Sequence, residues 1–291
     1  MVTQTTLATP TVAVRDAIQK TFVPATILSG FTDAGHFELL AGEYLASLGA
    51  KAKSQLLARA DKTRKFVATL APFQPANVVG AEITGPHVDA IRADPLFIGA
   101  FGQRPYTFAR VDITQLVALQ PWVEPRGDPI PTGHEEQLKL ALPHKWEVPA
   151  EFSFVPPNGP LQVFTSNPAL QALAIQADIV NQVVLLSTLK HINLVQVVHF
   201  SGRHYLRNGY HRVADALADG LKDFPAIVTE AMVFPQDVQL PSHAAFNPQY
   251  FAGLPRPPLL SDFHTRAALR AKVRERRYGV IVSVVPISIG I

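Results

Sequence analysis

The chain has 291 residues, of which 47% are hydrophobic and 17% are charged, and its formal net charge is +3. This composition excludes wholesale disorder, and the absence of cysteine excludes disulfides, thiolate metal sites and cysteine nucleophiles. No apolar run reaches the roughly 18 residues that a membrane-spanning helix needs, so we expect no membrane partner. The start of the chain lacks the pattern of a secretory signal, which together with the lack of cysteine predicts a cytoplasmic protein.

The first 104 residues are predicted to form a mainly helical region. Apolar residues recur at helical spacing over 36–48 and again over 54–70, and Gly49 between them is a typical helix stop. A cluster of cations at positions 59–65 is interpreted as the solvated face of the second helix, because a local charge run most often has that role. Prolines and glycines interrupt residues 71–100, which indicates loops with short elements.

A central α/β domain is predicted over residues 105–232. Its first strand covers 108–113, and the stretch 121–160, rich in proline and glycine, indicates a long surface insertion. Asn167 and Pro168 form a typical helix start, and that helix would continue to residue 180 with a buried apolar stripe. Residues 194–200 and 204–208 are predicted to be the two strands of a hairpin that turns at Ser201, Gly202 and Arg203.

The segment after this hairpin is the one that most suggests a binding site. A sharp turn at Asn208 and Gly209 leads into a short helix over 210–219, which ends at Gly220 and is followed by a strand over 224–228. The first turn of a helix presents unpaired backbone N–H groups and the positive end of the helix dipole, which together attract phosphate or carboxylate. The sequence therefore predicts an anion site at the start of this helix.

Two side chains in that first turn suit phosphate chemistry. Arg212 offers a fork of donors that matches phosphate oxygens, and His211 is the candidate catalytic residue because its ordinary pKa lies near neutrality. Gly209 permits the tight turn. Further candidates for ligand binding are Asn208, Tyr210, Arg207 and Arg203, the last two from one face of the preceding strand. In the alternative, structural interpretation, Arg212 pairs with Asp215 or Asp219 and His211 caps or packs.

The histidines near the hairpin, at positions 191, 199, 204 and 211, raise the question of a metal site. No set of three Asp, Glu or His residues occurs here at a ligand spacing, and zinc needs at least three firm ligands. No metal site is therefore predicted.

The last segment, residues 233–291, is predicted to be a proline-rich arm that ends in a basic helix over 264–277 and a closing strand over 280–285. The helix would carry Arg266, Arg270, Arg274 and Arg277 on one stripe, at steps of four, four and three. Such a stripe suits a nucleic-acid backbone or an acidic partner, and a solvated face is an equal alternative. The arm and the terminal strand would suit exchange between the subunits of a homo-oligomer.

The order of strand, hairpin, Gly-x-His-Arg, short helix and Pro-containing strand resembles the ParB/sulfiredoxin superfamily, over about residues 106–231. The resemblance implies a mixed sheet with flanking helices and a phosphate or nucleotide site at Gly209, His211 and Arg212. The expected ligand is then a nucleotide such as ATP or CTP with Mg. Tyr210 stands where sulfiredoxins place a catalytic cysteine, so their reductase chemistry is excluded, and where the partition proteins carry a glutamate.

The leading functional hypothesis from the sequence is a nucleotide- or phosphate-binding protein, whose enzymatic form would be a nucleotide-dependent phosphotransferase or hydrolase. One alternative is a DNA-associated, ParB-like binding protein or nuclease that uses the arginine stripe. Another is a non-catalytic assembly or scaffold protein, since a fold does not dictate a function.

Overall fold

The chain forms two units, which are defined by the contacts between residues. The larger unit consists of Phe22–Trp146 and Asn193–Arg274, and the smaller of Met1–Thr21, Glu147–Ile192 and Glu275–Ile291. The larger unit runs across the segment boundaries predicted at 104/105 and 232/233. The structure, a computed structural model, describes residues 22–124, 129–144, 153–154, 161–165, 170–178, 183–190, 193–233, 237–238, 246, 251, 256–274 and 278–282.

Helices dominate the first part of the described chain and strands the rest. In order they are β1 (Phe22–Ile27), α1 (Ala34–Ser47), α2 (Ala50–Val67), β2 (Val79–Glu82), α3 (Pro86–Arg92), α4 (Pro95–Phe101), β3 (Tyr106–Asp112), β4 (Val117–Ala118), β5 (Trp122–Val123), α5 (His134–Ala141), β6 (Ser153–Phe154), β7 (Leu161–Thr165), β8 (Leu170–Asp178), β9 (Val183–Lys190), β10 (Gln196–Phe200), β11 (Arg203–Asn208), α6 (Tyr210–Ala218), β12 (Asp223–Glu230), a 3-10 helix (Leu260–His264), β13 (Leu269–Arg274) and β14 (Tyr278–Val282). The two long helices, the central hairpin and the short helix after it confirm the sequence-based predictions for those segments.

A mixed six-stranded sheet organises the larger unit, in the order β2-β3-β12-β10-β11-β4. Strand β12 is parallel to β10 and β4 is parallel to β11, whereas the other neighbours are antiparallel. The consecutive residues Val197 and Val198 are both buried. Successive side chains of a strand point to opposite faces, so both faces of the sheet are covered at this point.

The hairpin between β10 and β11 is fixed by its turn. Ser201 and Gly202 both have positive φ angles, of 51° and 74°. This is the geometry of a type I′ turn, whose twist matches that of the two flanking strands. The turn sets the register that pairs His199 with His204 across the two strands.

A second, three-stranded antiparallel sheet in the larger unit has the order β13-β1-β5. Helices α1 and α2 pack on one of its faces. The buried cluster between the sheet and the helices consists of Ala25, Ile27, Phe37, Leu45, Leu56, Ala60, Leu269 and Val273. The basic residues of β13 alternate with these apolar ones, and the Arg270 and Lys272 side chains are exposed.

The predicted basic helix over 264–277 is wrong. Residues 260–264 form a 3-10 helix, and residues 269–274 form strand β13. The alternation of Leu269, Ala271 and Val273 with cations has the period of a strand, and pairing with β1 buries that apolar set on one face. The tertiary pairing therefore prevails over the four-residue spacing of the arginines. Arg277 lies outside the described residues, as does most of the predicted proline-rich arm.

The smaller unit, as far as it is described, consists of strands. Strands β14, β7 and β6 form an antiparallel sheet in that order, and β8 pairs with β9. The helix predicted from Asn167 to residue 180 is wrong, because Leu170–Asp178 is strand β8. Its residues pair with those of β9 along nearly the whole strand, and this pairing outweighs a cap signal from two residues. The closing strand is confirmed by β14.

The protein is a mixed α/β protein, as predicted. Its described part contains helices, one mixed six-stranded sheet and separate smaller sheets. The finer assignment to a ParB/sulfiredoxin-like fold stays a prediction. Among the described helices, none has both the length and the apolar character required to cross a bilayer.

Candidate functional site

The predicted anion site lies at the start of α6, where β11 ends. Gly209 is the residue before the helix and has a φ angle of 94°, in the left-handed region that favours glycine. A Cβ atom at this position would lie 2.7 Å from Cγ2 of Val195. The backbone thus approaches its neighbour closely here, and both the φ angle and the space require glycine.

Arg212 uses its guanidinium group to hold neighbouring backbone. Nη1 donates to the carbonyl oxygens of Leu140 and Ala141 at 3.0 and 3.2 Å, and Nη2 donates to the backbone and side-chain oxygens of Asn193, both at 2.9 Å. The first two carbonyls belong to the last turn of α5, where carbonyl groups lack partners within the helix and the dipole favours a cation. In this arrangement Arg212 caps α5.

Tyr210 lies beneath the same corner. Its hydroxyl accepts hydrogen bonds from the amides of Leu119 and Gln120, at 2.6 and 3.2 Å, and donates one to the carbonyl of Leu206. Burial raises the pKa of this hydroxyl, so it stays protonated. Tyr210 therefore ties the start of α6 to the segment between β4 and β5.

The remaining residues of the corner are also bonded to the backbone. Nδ1 of His211 lies 2.8 Å from the carbonyl oxygen of Glu124. The Asn208 side chain donates to Asn193 and to the carbonyl of Leu194, both at 3.0 Å, and accepts the amide of Gly209 at 2.9 Å. The structure brings the predicted residues 208–212 together, and the side chains of Asn208, Tyr210, His211 and Arg212 make internal hydrogen bonds.

The other predicted residues lie elsewhere. Arg203 donates to the carbonyl of Phe251 at 2.8 Å, and its guanidinium lies 5.7 Å from the centre of the Phe73 ring. Arg207 is partly buried, and desolvation followed by repulsion from Arg104 lowers its pKa. Arg266 is in the exposed turn before β13, whereas Arg270 and Arg274 are on that strand.

A different group of polar residues lies at the opposite end of the central strands of the six-stranded sheet. His199, His204 and Glu230 come from the neighbouring strands β10, β11 and β12, and the register pairs His199 with both of the others. Paired residues point to the same face of a sheet, so the three side chains lie together. Because β11 runs antiparallel to β10, this group and the α6 corner are separated by four residues of β11, or about 13 Å.

Within this group, His199 interacts with both neighbours. Its Nδ1 lies 2.8 Å and 3.1 Å from the two carboxylate oxygens of Glu230. Its ring is stacked on that of His204, with the ring centres 4.5 Å apart. The carboxylate fixes the proton of a neutral His199 on Nδ1, so Nε2 carries the lone pair that can accept a proton or a hydrogen bond.

His204 has the most perturbed environment of the three. The residue is 8% exposed, and its Nδ1 is buried without a hydrogen-bond partner among the described residues. Burial, reinforced by His199, lowers the pKa of His204 to about 4, although Glu230 opposes this shift. The ring is therefore neutral at physiological pH, and its unpaired nitrogen costs about 1–3 kcal/mol relative to a bonded one.

An open cavity of about 440 Å³ adjoins these residues. Its lining comprises Pro75, Ala76, Asn77, Val79, His199, Gly202, His204 and Glu230. It lies at the carboxyl ends of the parallel strands β10 and β12, the position at which open α/β sheets commonly bind ligands. The volume lies in the range of small-molecule sites. Within the described part of the chain, no group of three or more His, Cys, Asp or Glu side chains is arranged to hold a metal ion.

Comparisons of this chain with family models, with curated proteins and with solved structures find no match.

Sequence reasoning missed this second group because Glu230 was not connected to the histidines. His199 and His204 are visible at either side of the hairpin turn, and their cross-strand pairing follows from a two-residue turn. Glu230 joins them only through the crossover from β11 over α6 to β12, which places β12 beside β10. A parallel neighbour of this kind is decided by the tertiary structure.

Proposed function

We propose that this protein binds a small polar organic molecule in the cavity beside His199, His204 and Glu230. The observation that carries the proposal is the buried, unpaired Nδ1 of a neutral histidine at the wall of a cavity. Protein interiors rarely leave such an atom without a partner, and functional sites are where the exceptions concentrate. A ligand that turns the His204 ring toward itself would supply the missing hydrogen bond.

The charges around the cavity restrict the ligand. Glu230 contributes a carboxylate, His204 is neutral, and the lining residues that the structure describes include no Lys or Arg. A phosphate dianion would have no cation to pair with there and would be repelled by Glu230. The cavity therefore suits a neutral or cationic molecule with hydrogen-bonding groups.

The pair of His199 and Glu230 gives the site a chemical capacity as well. A histidine oriented by a carboxylate accepts a proton at its other nitrogen, as in general-base catalysis. His199 would take a proton from the ligand or from a water molecule, and Glu230 would stabilise the imidazolium that forms. The proposed activity is thus binding with proton abstraction at Nε2 of His199.

A ligand-observed NMR screen of neutral and cationic metabolite-sized compounds tests the proposal, with nucleotides and sugar phosphates as a second set. We expect a bound compound from the first set whose affinity falls at least tenfold in His204→Leu and in Glu230→Gln. His36→Gln on the exposed surface of α1 is the matched control and should bind as the wild type does. Equal affinity in all four proteins would refute the cavity as the site.

The same screen tests the nucleotide or phosphate ligand predicted from the sequence, which stays a prediction. The sequence-based prediction puts a phosphate compound at the α6 corner, next to His211 and Arg212, and not in the cavity. Binding of a nucleotide with Mg, accompanied by chemical-shift changes at His211 and none at His204, would support that prediction and count against the cavity.

A further inference from the structure

Helix α2 carries an unusual excess of positive charge. Its 18 residues, Ala50–Val67, include six Lys or Arg and one acidic residue, Asp61. The excess continues in the elements that pack with this helix. Residues 22–70 and 265–274 together contain ten Lys or Arg against four Asp or Glu, a net charge of +6, in a chain whose total is +3. The rest of the chain is therefore net acidic, with a charge of −3.

The cations of α2 are distributed by face. Leu56, Ala60 and Thr63 are buried and point toward the three-stranded sheet and α1. The exposed cations on the other side of the helix are Lys51, Arg59, Lys62 and Lys65. At 100° per residue these four positions lie within about 120° of one another, and they span about 21 Å along the helix axis. We call these four residues the α2 stripe.

Little of this charge is neutralised by neighbours. Lys65 lies 2.9 Å from Asp61, the one close ion pair that a stripe residue makes with a described residue. Lys51, Arg59 and Lys62 form no ion pair with any residue that the structure describes. A row of cations of which three have no such ion pair, with an adjacent excess of positive charge, attracts a polyanion by releasing its counterions.

We propose that the α2 stripe binds duplex DNA through its phosphate backbone, without sequence preference. The row is straight and as long as about six base pairs, so its cations can follow one strand of phosphates. None of the large apolar side chains that are exposed in the described structure lies on α2, whereas protein interfaces and membrane-bound helices need such residues. The B-form major groove admits a helix, and the narrow major groove of duplex RNA does not.

This binding surface is distinct from the cavity of the proposed function and from the predicted arginine stripe. The exposed Arg270 and Lys272 point away from α1 and α2, because they alternate with the residues of β13 that pack on those helices. The two sets of cations thus lie on opposite sides of the three-stranded sheet, and they can be removed separately.

Fluorescence anisotropy of a labelled random-sequence 24-base-pair duplex, titrated with the full chain at several salt concentrations, tests the proposal. Four phosphate contacts give a slope of about −3.6 in a plot of log K against log salt. Arg59→Ala with Lys62→Ala should make this slope shallower by about 1.8, and Arg59→Glu with Lys62→Glu should abolish binding. Circular dichroism checks that each variant is folded.

Two control pairs remove the same formal charge elsewhere. Lys139→Ala with Lys222→Ala changes exposed cations on α5 and before β12, and Arg270→Ala with Lys272→Ala changes the opposite side of the three-stranded sheet. Both should leave the salt slope unchanged. An equal loss in either control pair, tighter binding to duplex RNA, or no binding by the wild type at low salt would overturn the proposal.

Discussion

Histidine lies beside other polar residues at both ends of the central strands of the six-stranded sheet, but the two groups differ in their hydrogen bonds. At the α6 corner, Arg212, Tyr210 and His211 all bond to backbone groups of other segments. At the opposite end of these strands, His204 has a buried nitrogen, next to a cavity, that finds no partner among the described residues. Buried polar groups whose hydrogen bonds are all made rigidify a fold. A buried polar group without a hydrogen bond destabilises the fold, and such groups persist mainly at functional sites. Residues 208–212, which the sequence suggests as a binding site, thus connect separate segments of the chain in the tertiary structure.

The hydrogen bonds at the α6 corner hold the end of α5 in place. The end of α5 is held by Arg212, by the amide of Val195 on the carbonyl of Ala141, and by His87 on the carbonyl of Leu142. These contacts connect α5, α6, α3 and the segment before β10. Substitutions at this corner should therefore lower stability, and substitutions of His199, His204 or Glu230 should change binding.

The largest effect is expected for Gly209→Ala. The substitution forces a non-glycine residue to a φ angle of 94° and places a Cβ atom 2.7 Å from Val195. Left-handed strain and the overpacking together should lower the free energy of unfolding by about 3–5 kcal/mol, measured by urea denaturation.

Gly220→Ala is the matched control, because Gly220 has a φ angle of 82° but no atom within 4 Å of an added Cβ. It should cost only the strain, about 1–2 kcal/mol. Equal losses in the two variants would show that the close approach to Val195 is not what constrains Gly209.

The second largest effect is expected for Arg212→Ala, which removes the guanidinium donor from the carbonyls of Leu140, Ala141 and Asn193. Of these, the Ala141 carbonyl keeps the amide of Val195. The free energy of unfolding should fall by about 2–4 kcal/mol, again measured in urea. Arg92→Ala should change it by less than about 1 kcal/mol, because the ion pairs of Arg92 with Glu82 and Asp89 are at the surface, at 3.5 Å. If Arg212→Ala left the free energy of unfolding unchanged and abolished nucleotide binding, the α6 corner would be the binding site and not a structural contact.

A smaller effect of the opposite sign is expected for His204→Leu. It replaces a buried, unpaired polar ring by an apolar side chain, so the protein should become more stable by about 1 kcal/mol at pH 7. Tyr210→Phe provides the contrast, because it removes a hydroxyl that is bonded to Leu119, Gln120 and Leu206, and it should be destabilising. Destabilisation by His204→Leu would indicate that the ring is already satisfied. If His204→Leu raises the free energy of unfolding and also weakens ligand binding, it shows the opposition between stability and activity that is expected of a functional site.

The smallest effect is a pH dependence that belongs to His204. Its pKa is about 4 in the folded protein and near 6.5 in the unfolded chain, so between these pH values the unfolded chain binds more protons. This contribution leaves stability intact above pH 6.5 and reduces it progressively as the pH falls to about 4.

Urea denaturation of the wild type and of His204→Leu at pH 7, 5.5 and 4.5 measures this dependence. The stability advantage of the variant should grow as the pH falls. Carboxylates with lowered pKa values, such as Asp33 and Asp237, remain in both proteins and cancel in the difference. A constant difference across the three pH values would contradict the lowered pKa of His204.

The sequence determined the local elements whose signals are complete within a few residues. The periodic apolar residues of α1 and α2, the hairpin turn predicted at residues 201–203, and the start of α6 at Gly209 all depend on neighbours in the chain. All are confirmed, except that Arg203 belongs to strand β11 and not to the turn. The mixed α/β class follows from these elements. For β8 and β13, a cap signal and a spacing of arginines predict helices, because both signals are local. Their strand conformation depends on pairing with β9 and β1.

Only the tertiary structure decided which polar groups bond to the backbone and which lie beside the cavity. Whether Arg212 faces a pocket or the end of α5 depends on where residues 134–141 pack, and those residues lie about 70 positions away in the sequence. Whether His199 meets a carboxylate depends on the crossover that makes β12 the parallel neighbour of β10. The chemistry of each side chain follows from the sequence. Its hydrogen-bond partners come from distant segments, which only folding brings together.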